Sequence, residues 1–311
     1  MRIAVRILLQ SRHPSVSKES AADPVHYVDW LTLVGFMQEE EALNMVRTQS
    51  VTNLTSTDEW LGLIRSAREV AAGVSGRAES RPEVRDVDVR YRDHFSRLEA
   101  EPTFKLHSAG MKSLKFAMVE LSKIRLFQTM VNEEYVDSLL KKTPEPDDPE
   151  ATLRFCLPTQ SETPKTRMIS SYNPTTNTFS AVTDNLDLRI LGNTNAEDPA
   201  THTPVAGFYY GVALPQATVV DYKGTLLLKN GCHRAYALHK KGHEFLPCLL
   251  GTTESFQVTG AQVPGSFPLS TIISDKGPIL SDFDTGAAVL VPLRRVKVVA
   301  TIHAEVQVVP L

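Results

Sequence analysis

Residues 218–250 read TVVDYKGTLLLKNGCHRAYALHKKGHEFLPCLL. Two short runs rich in β-branched and leucine residues, Ala217–Val220 and Thr225–Leu228, flank the turn Tyr222-Lys223-Gly224 and predict a pair of strands. A turn at Asn230-Gly231 follows, then a helix from about His233 to Lys241. Gly242 ends that helix as its C-cap, and LPCLL (246–250) predicts a further strand. The junction Asn230-Gly231-Cys232-His233-Arg234 concentrates the chemistry. Gly231 permits a positive-φ turn. The amides of residues 232–234 then point out of a helix N-terminus, an anion site suited to phosphate. Arg234 is placed to clamp phosphate oxygens bidentately, and His233 to donate a hydrogen bond or shuttle a proton. Cys232, at the same terminus, is expected to have a lowered thiol pKa and some thiolate character. A plainer reading stands beside this one: His233 and Arg234 cap the helix and pair with buried groups, and Cys232 is a small core residue.

Working outward, the 311 residues suggest about two domains, or one domain with a large helical annex. Apolar residues make up 42%, enough for a sizeable core, and 33 basic residues against 36 acidic ones exclude a globally basic nucleic-acid binder. The three cysteines, Cys156, Cys232 and Cys248, are too few for a disulfide framework and fit a reducing compartment. The opening MRIAVRILLQSR is interrupted by Arg6 and is not read as a signal peptide, and no apolar run approaches the roughly 20 residues of a membrane helix. A cytoplasmic protein without a membrane partner is expected.

From Asp23 to about Val74 the spacing of Val28, Leu31, Leu33, Val34, Met37, Leu43 and Val46 predicts helix, and Trp30 is placed on its apolar face. Ser56, with Glu59 three residues on, resembles a capping box ahead of Trp60, Leu61, Ile64 and Ala67. Gly73 and Gly76 end that helix. Six arginines fall in residues 77–97, but Glu79, Glu83, Asp86, Asp88 and Asp93 interleave with them, so a salt-bridged solvated face is expected. KFAMV (115–119) predicts a strand and Asn132–Lys141 a helix opened by Asn132, Glu133 and Glu134. TPEPDDPE (143–150) reads as linker, and TLRFCL, TFSAV and LRILG as short β runs. The run from Val296 to Val309 reads as a strand.

The segment GCHRAYALHKKGHEFLPCLL resembles the signature of the ParB/sulfiredoxin superfamily, whose members carry a Gly-x-His/Arg-Arg turn, an Ala-rich helix, a Gly and a Pro-containing strand. VELSKIRLFQTMVNEEYVDSLL (119–140) resembles the superfamily's opening strand and first helix, across an insertion at about 142–217. The resemblance implies a nucleotide site, ATP or CTP with Mg2+, at Asn230, Gly231, Cys232, His233 and Arg234. In the ParB-like branch it implies nucleotide switching, hydrolysis, phosphoryl transfer or nuclease activity in a DNA-related process. In the sulfiredoxin branch it implies an ATP-dependent thiol phosphotransferase with Cys232 as nucleophile and His233 and Arg234 on the phosphates. Tyr135 stands where sulfiredoxins carry a phosphate-binding lysine, and sulfiredoxins are small single domains, so the ParB-like branch leads. Glu133 and Glu134 are the carboxylates that the resemblance places beside the site.

Three other signals carry less. Asp284-Thr285-Gly286 matches the aspartic-protease triplet, but a turn before a strand is the expectation. His239 and His243 are four residues apart, yet Gly242 separates them, so they are read as polar positions at a helix end. Arg294, Arg295 and Lys297 form a small basic strand, suited to a phosphate groove or to guarding a sheet edge. The expected fold is therefore α+β: an N-terminal mainly helical region (1–103) that also offers a docking surface for a protein partner, a ParB/sulfiredoxin-like domain (104–250), and a β-rich extension (251–311). A non-catalytic adaptor is the further alternative.

Overall fold

The computed structural model describes residues 27–49, 57–77, 80–101, 104, 108–162, 168–183, 188–212, 216–262, 265–294 and 298–303. The chain is α+β and divides into two units. The larger takes in residues 26–163 and 215–295. It begins with β1 (Tyr27–Thr32), α1 (Glu39–Gln49), α2 (Thr57–Ala72), β2 (Val84–Asp86), α3 (Arg92–Ala100), β3 (Lys112–Glu120), β4 (Met130–Asn132), α4 (Glu133–Leu140) and α5 (Pro149–Cys156). Strands β5 (Ile169–Asn173), β6 (Thr178–Thr183), β7 (Leu188–Glu197) and β8 (Pro204–Val212) belong to the smaller unit. The larger unit resumes with β9 (Thr218–Tyr222), β10 (Thr225–Asn230), α6 (Cys232–Lys240), β11 (Phe245–Thr253), the single turn α7 (Leu269–Ile272) and β12 (Val289–Arg294), and β13 (Val298–His303) returns to the smaller one.

A five-stranded sheet in the order β10-β9-β11-β3-β2 carries the larger unit. Lys223 and Gly224 both adopt positive φ, 52° and 90°, which makes the β9–β10 connection a two-residue turn of the kind whose twist suits a hairpin. The chain then crosses over through α6 and returns as β11, parallel to β9 and antiparallel to β3. Leu246 to Leu250 are all buried, which is why LPCLL reads as an unbroken apolar run rather than an alternating one. Pairing with β9 starts only at Leu249, past Pro247, so the proline interrupts no ladder on that side. A second sheet, β12-β1-β4, is antiparallel throughout. In the smaller unit, β13-β6-β5 form one antiparallel sheet and β7-β8 a hairpin, with the Phe179 and Tyr210 rings 5.2 Å apart.

Several expectations need correction. Residues 27–32 are a strand, not the start of a helix, and Trp30 lies on it. Six residues with Val28 and Thr32 buried satisfy a helical spacing and a strand alternation alike. The aromatic and β-branched content, with partners on both sides in β12 and β4, decides for the strand. TLRFCL is helical: Asp148 caps α5 by accepting from the Ala151 N–H at 2.9 Å, and Pro149 fills its first turn. Ser56 lies outside the described residues. α2 buries Trp60, Ile64, Ala67 and Ala71 along one stripe, as the spacing predicts.

The described residues before and after the expected boundary at 103 fall in one unit. Leu33, Val34, Ile64 and Leu98 share one apolar core with Val119, Leu126, Leu228 and Leu246. The extension 251–311 is not uniformly β-rich: residues 254–288 carry short 3-10 turns and α7, and β12 and β13 go to different units. Residues 295–297, and with them Arg295 and Lys297, lie outside the described residues. Arg294 ends β12 at a sheet edge. Among the described residues no helix is long and apolar enough to cross a membrane.

The arginine-rich segment is largely the salt-bridged face expected, with Arg81–Asp221 at 2.6 Å, Arg85–Glu83 at 2.7 Å and Arg90–Asp88 at 3.2 Å. Arg77 is different. Both its terminal nitrogens reach the carboxylate of Asp282 at 2.6 Å, with the two side chains 14% and 2% exposed. Asp282 also accepts from the Ile279 N–H at 2.8 Å, and the buried Arg125 donates to the Gly277 carbonyl of the same turn. Breaking such a buried pair strands a charge. Asp282→Asn is expected to lower unfolding free energy by about 3–5 kcal/mol, read from urea denaturation. A loss below 1 kcal/mol would show that the pair is not a structural tie.

Candidate functional site

The sequence-predicted residues 230–234 lie at the start of α6. Gly231 is its N-cap, at φ 95° and ψ 23°, in the left-handed region. A Cβ there would stand 3.2 Å from the Ala217 Cα, so both conformation and space call for glycine. The first helical bond runs from the Ala235 N–H to the Gly231 carbonyl at 2.8 Å, which leaves the amides of 232–234 ahead of the helical ladder.

The three side chains of the turn meet different fates. Cys232 is 3% exposed, and burial pushes its thiol up to about 12. This overturns the expected thiolate: apolar packing outweighs the helix terminus. His233 Nε2 accepts the Asn132 N–H at 3.0 Å, so in this bond the ring proton sits on Nδ1. Its ring makes edge-on contacts with Tyr135 and Trp30, at centroid distances of 5.2 and 6.4 Å. Arg234 Nη1 donates to the Phe155 and Cys156 carbonyls, at 3.1 and 3.0 Å, the last residues of α5. A cation at a helix C-terminus is favourable, and it also satisfies carbonyls that have no helical partner. Its Nη2 lies 3.5 Å from where a Gly231 Cβ would be, alongside the turn. Asn230 Nδ2 donates to the Gln216 carbonyl at 2.9 Å.

The structure brings Glu133 to α6. Its Oε2 is 3.6 Å from Lys240 Nζ, while Oε1 is buried without a hydrogen-bond partner among the described residues. Glu134 remains exposed on the first turn of α4. Gln216, 2% exposed, likewise keeps Nε2 buried and unpartnered. Lys229, one residue before Asn230, has its ammonium pKa lowered by burial. Sequence reading missed both, since neither carries a motif.

The structure also unites two signals that the sequence left apart. Asp284 of the Asp-Thr-Gly triplet accepts from the Tyr236 hydroxyl at 2.9 Å and meets His239 Nε2 at 2.9 Å. The His239 bond is the main reason the Asp284 carboxyl lies below its usual range, and burial is the main reason the Tyr236 hydroxyl lies well above its own. His243 turns elsewhere, to the Pro144 carbonyl at 3.0 Å, so the two histidines four apart do not converge. No group of three metal-ligating side chains is found among the described residues.

Two outcomes follow from this geometry. Arg234→Ala is expected to cost about 1–3 kcal/mol of stability by taking its donor from the Phe155 carbonyl, whereas the Cys156 carbonyl keeps the Ala217 N–H, checked by urea denaturation. The native thiols should resist Ellman's reagent at pH 8. Cys156 and Cys232 rise from an ordinary 9.0 to about 12 by burial. The unfolded chain ionises first, so stability is intact below pH 9 and falls as pH rises toward 12. The loss is about 1.4 kcal/mol per unit per thiol, visible as a falling urea midpoint. Rapid labelling of Cys232 in the folded protein would contradict the burial.

Comparison of the chain with protein-family models, with curated proteins and with solved structures finds no match.

Proposed function

We propose that the protein is a ParB-like nucleotide-binding protein that holds the phosphates of a nucleoside triphosphate, as its magnesium complex, at residues 230–234. The observation that carries this reading is the placement of Arg234. Two carbonyls at the end of α5 hold its guanidinium, and Nη2 lies beside Gly231 next to the leading amides of α6. A guanidinium fixed in this way loses little freedom when it meets an anion. Support also comes from the two blocks that carry the superfamily resemblance. They pack together, through the His233–Asn132 hydrogen bond and the pairing of β3 with β11.

The amides and Arg234 would stabilise charge on a phosphoryl group, the requirement of hydrolysis or transfer. Glu133 is a carboxylate that α4 brings to α6, its Oε2 3.6 Å from Lys240 Nζ. A DNA-related process is the setting that the resemblance implies. The buried Cys232 takes no part as a nucleophile in this reading.

Calorimetric titration with ATP, CTP and GTP, with and without magnesium, tests it. Saturable binding of at least one nucleotide is expected, weakened about tenfold or more in Arg234→Lys, which keeps the charge but loses the fork. Absence of binding by all three would overturn the proposal and leave the turn an architectural element of an adaptor protein.

A further inference from the structure

We propose that a cleft at the C-terminal end of α2, remote in sequence from the turn at 230–234, is a second ligand site, for a small phosphorylated molecule. The cleft is open to solvent and has a volume of about 360 Å3. Phe36, Arg68, Ser270, Thr271, Ser274 and Lys276 line it, together with Gly35 and the last residues of α2. Two cations and the hydroxyls of Ser270 and Thr271 therefore line a cleft that, among the described residues, no carboxylate lines, beside one aromatic ring. The Ser274 hydroxyl donates its proton to the Thr271 carbonyl at 2.8 Å and offers an acceptor oxygen. That combination suits a phosphate group with many acceptor oxygens, and the ring suits the organic body that carries it.

The cations are held in place. Arg68 donates to the Met37 carbonyl and Lys276 Nζ to the Ala72 carbonyl. A guanidinium has five N–H donors and an ammonium three, so one backbone bond fixes each stem and leaves donors over. The end of a helix ordinarily repels an anion, but here the last carbonyls of α2 are covered. The Gly73 N–H reaches Glu69 and Val70 at 3.1 and 3.2 Å, the Val74 N–H reaches Ala71 at 3.3 Å, and Lys276 takes Ala72.

Neighbouring acids are engaged as well. Asp275 accepts the Gly76 N–H at 2.9 Å, and Asp282 is held by Arg77, whose guanidinium lies 5.9 Å from the Phe36 ring centroid. A backbone N–H is neutral, so Asp275 keeps its charge, and Glu39, ion-paired with Arg65 at 3.1 Å, also acts on Arg68. Against these, Arg68 and Lys276 bring two positive charges to the cleft itself.

Calorimetric titration of the full chain with phenyl phosphate and with inorganic phosphate tests the site. Saturable binding of phenyl phosphate is expected. It should weaken about tenfold in Lys276→Met, vanish in Ser270→Asp, which puts a negative charge into the cleft at an exposed position, and persist in Arg234→Lys. No saturable binding, or binding indifferent to both cleft variants, would overturn the proposal. Loss in Arg234→Lys alone would assign the ligand to the turn and overturn it equally. Equal affinity for inorganic and phenyl phosphate would overturn the role given to Phe36.

Discussion

The start of α6 is the place where the larger unit is tied together, and the tie depends on Gly231 at φ 95°. Only from that conformation does the chain leave β10 and enter the helix with Ala217 packed against the turn. Once it does, His233 reaches the first residue of α4's cap and Arg234 reaches the last carbonyls of α5. The Cys156 carbonyl accepts the Ala217 N–H at 2.8 Å as well, so α5 is fastened both to the helix and to the strand beside it. Three helices and a hairpin are positioned by one four-residue turn. Its polar side chains first satisfy backbone groups, and any ligand must use what these bonds leave over.

A second tie closes the unit at its far side in sequence. The Arg77–Asp282 pair joins the segment after α2 to the turn before β12, while β12 itself pairs with β1. The N-terminal elements are therefore enclosed by residues from near the other end of the chain. A buried ion pair is weak evidence of net stability, yet removing one partner is costly because it leaves the other uncompensated. This tie lies within the unit whose Leu33, Ile64 and Leu98 share a core with Val119, Leu228 and Leu246.

Legibility in the sequence followed the range of the forces. The β9–β10 hairpin, α6, Gly242 and β11 were readable because turn chemistry, a cap and an unbroken apolar run act over a few residues. The helix α4 was readable for the same reason, Asn132 accepting from the Tyr135 N–H as its cap residue predicts. Residues 27–32 were misread because their pattern fits two periods, and only the strands on either side select one. The run TLRFCL was misread because its strand-like composition masked the Asp-Pro start one turn earlier. At the site, the residue types were legible but their protonation and engagement were not. Cys232 sits at a helix terminus, as read, yet it is packed from every side, and desolvation then governs its thiol.

By itself the sequence determined the α+β class, the order hairpin, turn, helix, strand around residues 218–250, and the need for glycine at 231, since all of these arise from local backbone preference and short-range periodicity. Tertiary structure alone decided that the N-terminal elements belong to the same core, and that His233 and Arg234 spend hydrogen bonds on α4 and α5. It also decided that Asp284 meets His239 and Tyr236, and that Arg68 and Lys276 share one cleft. These pairings join residues tens to hundreds of positions apart. Nothing in a local window encodes which distant group will satisfy a given donor, because that choice is made by the packing of the whole unit.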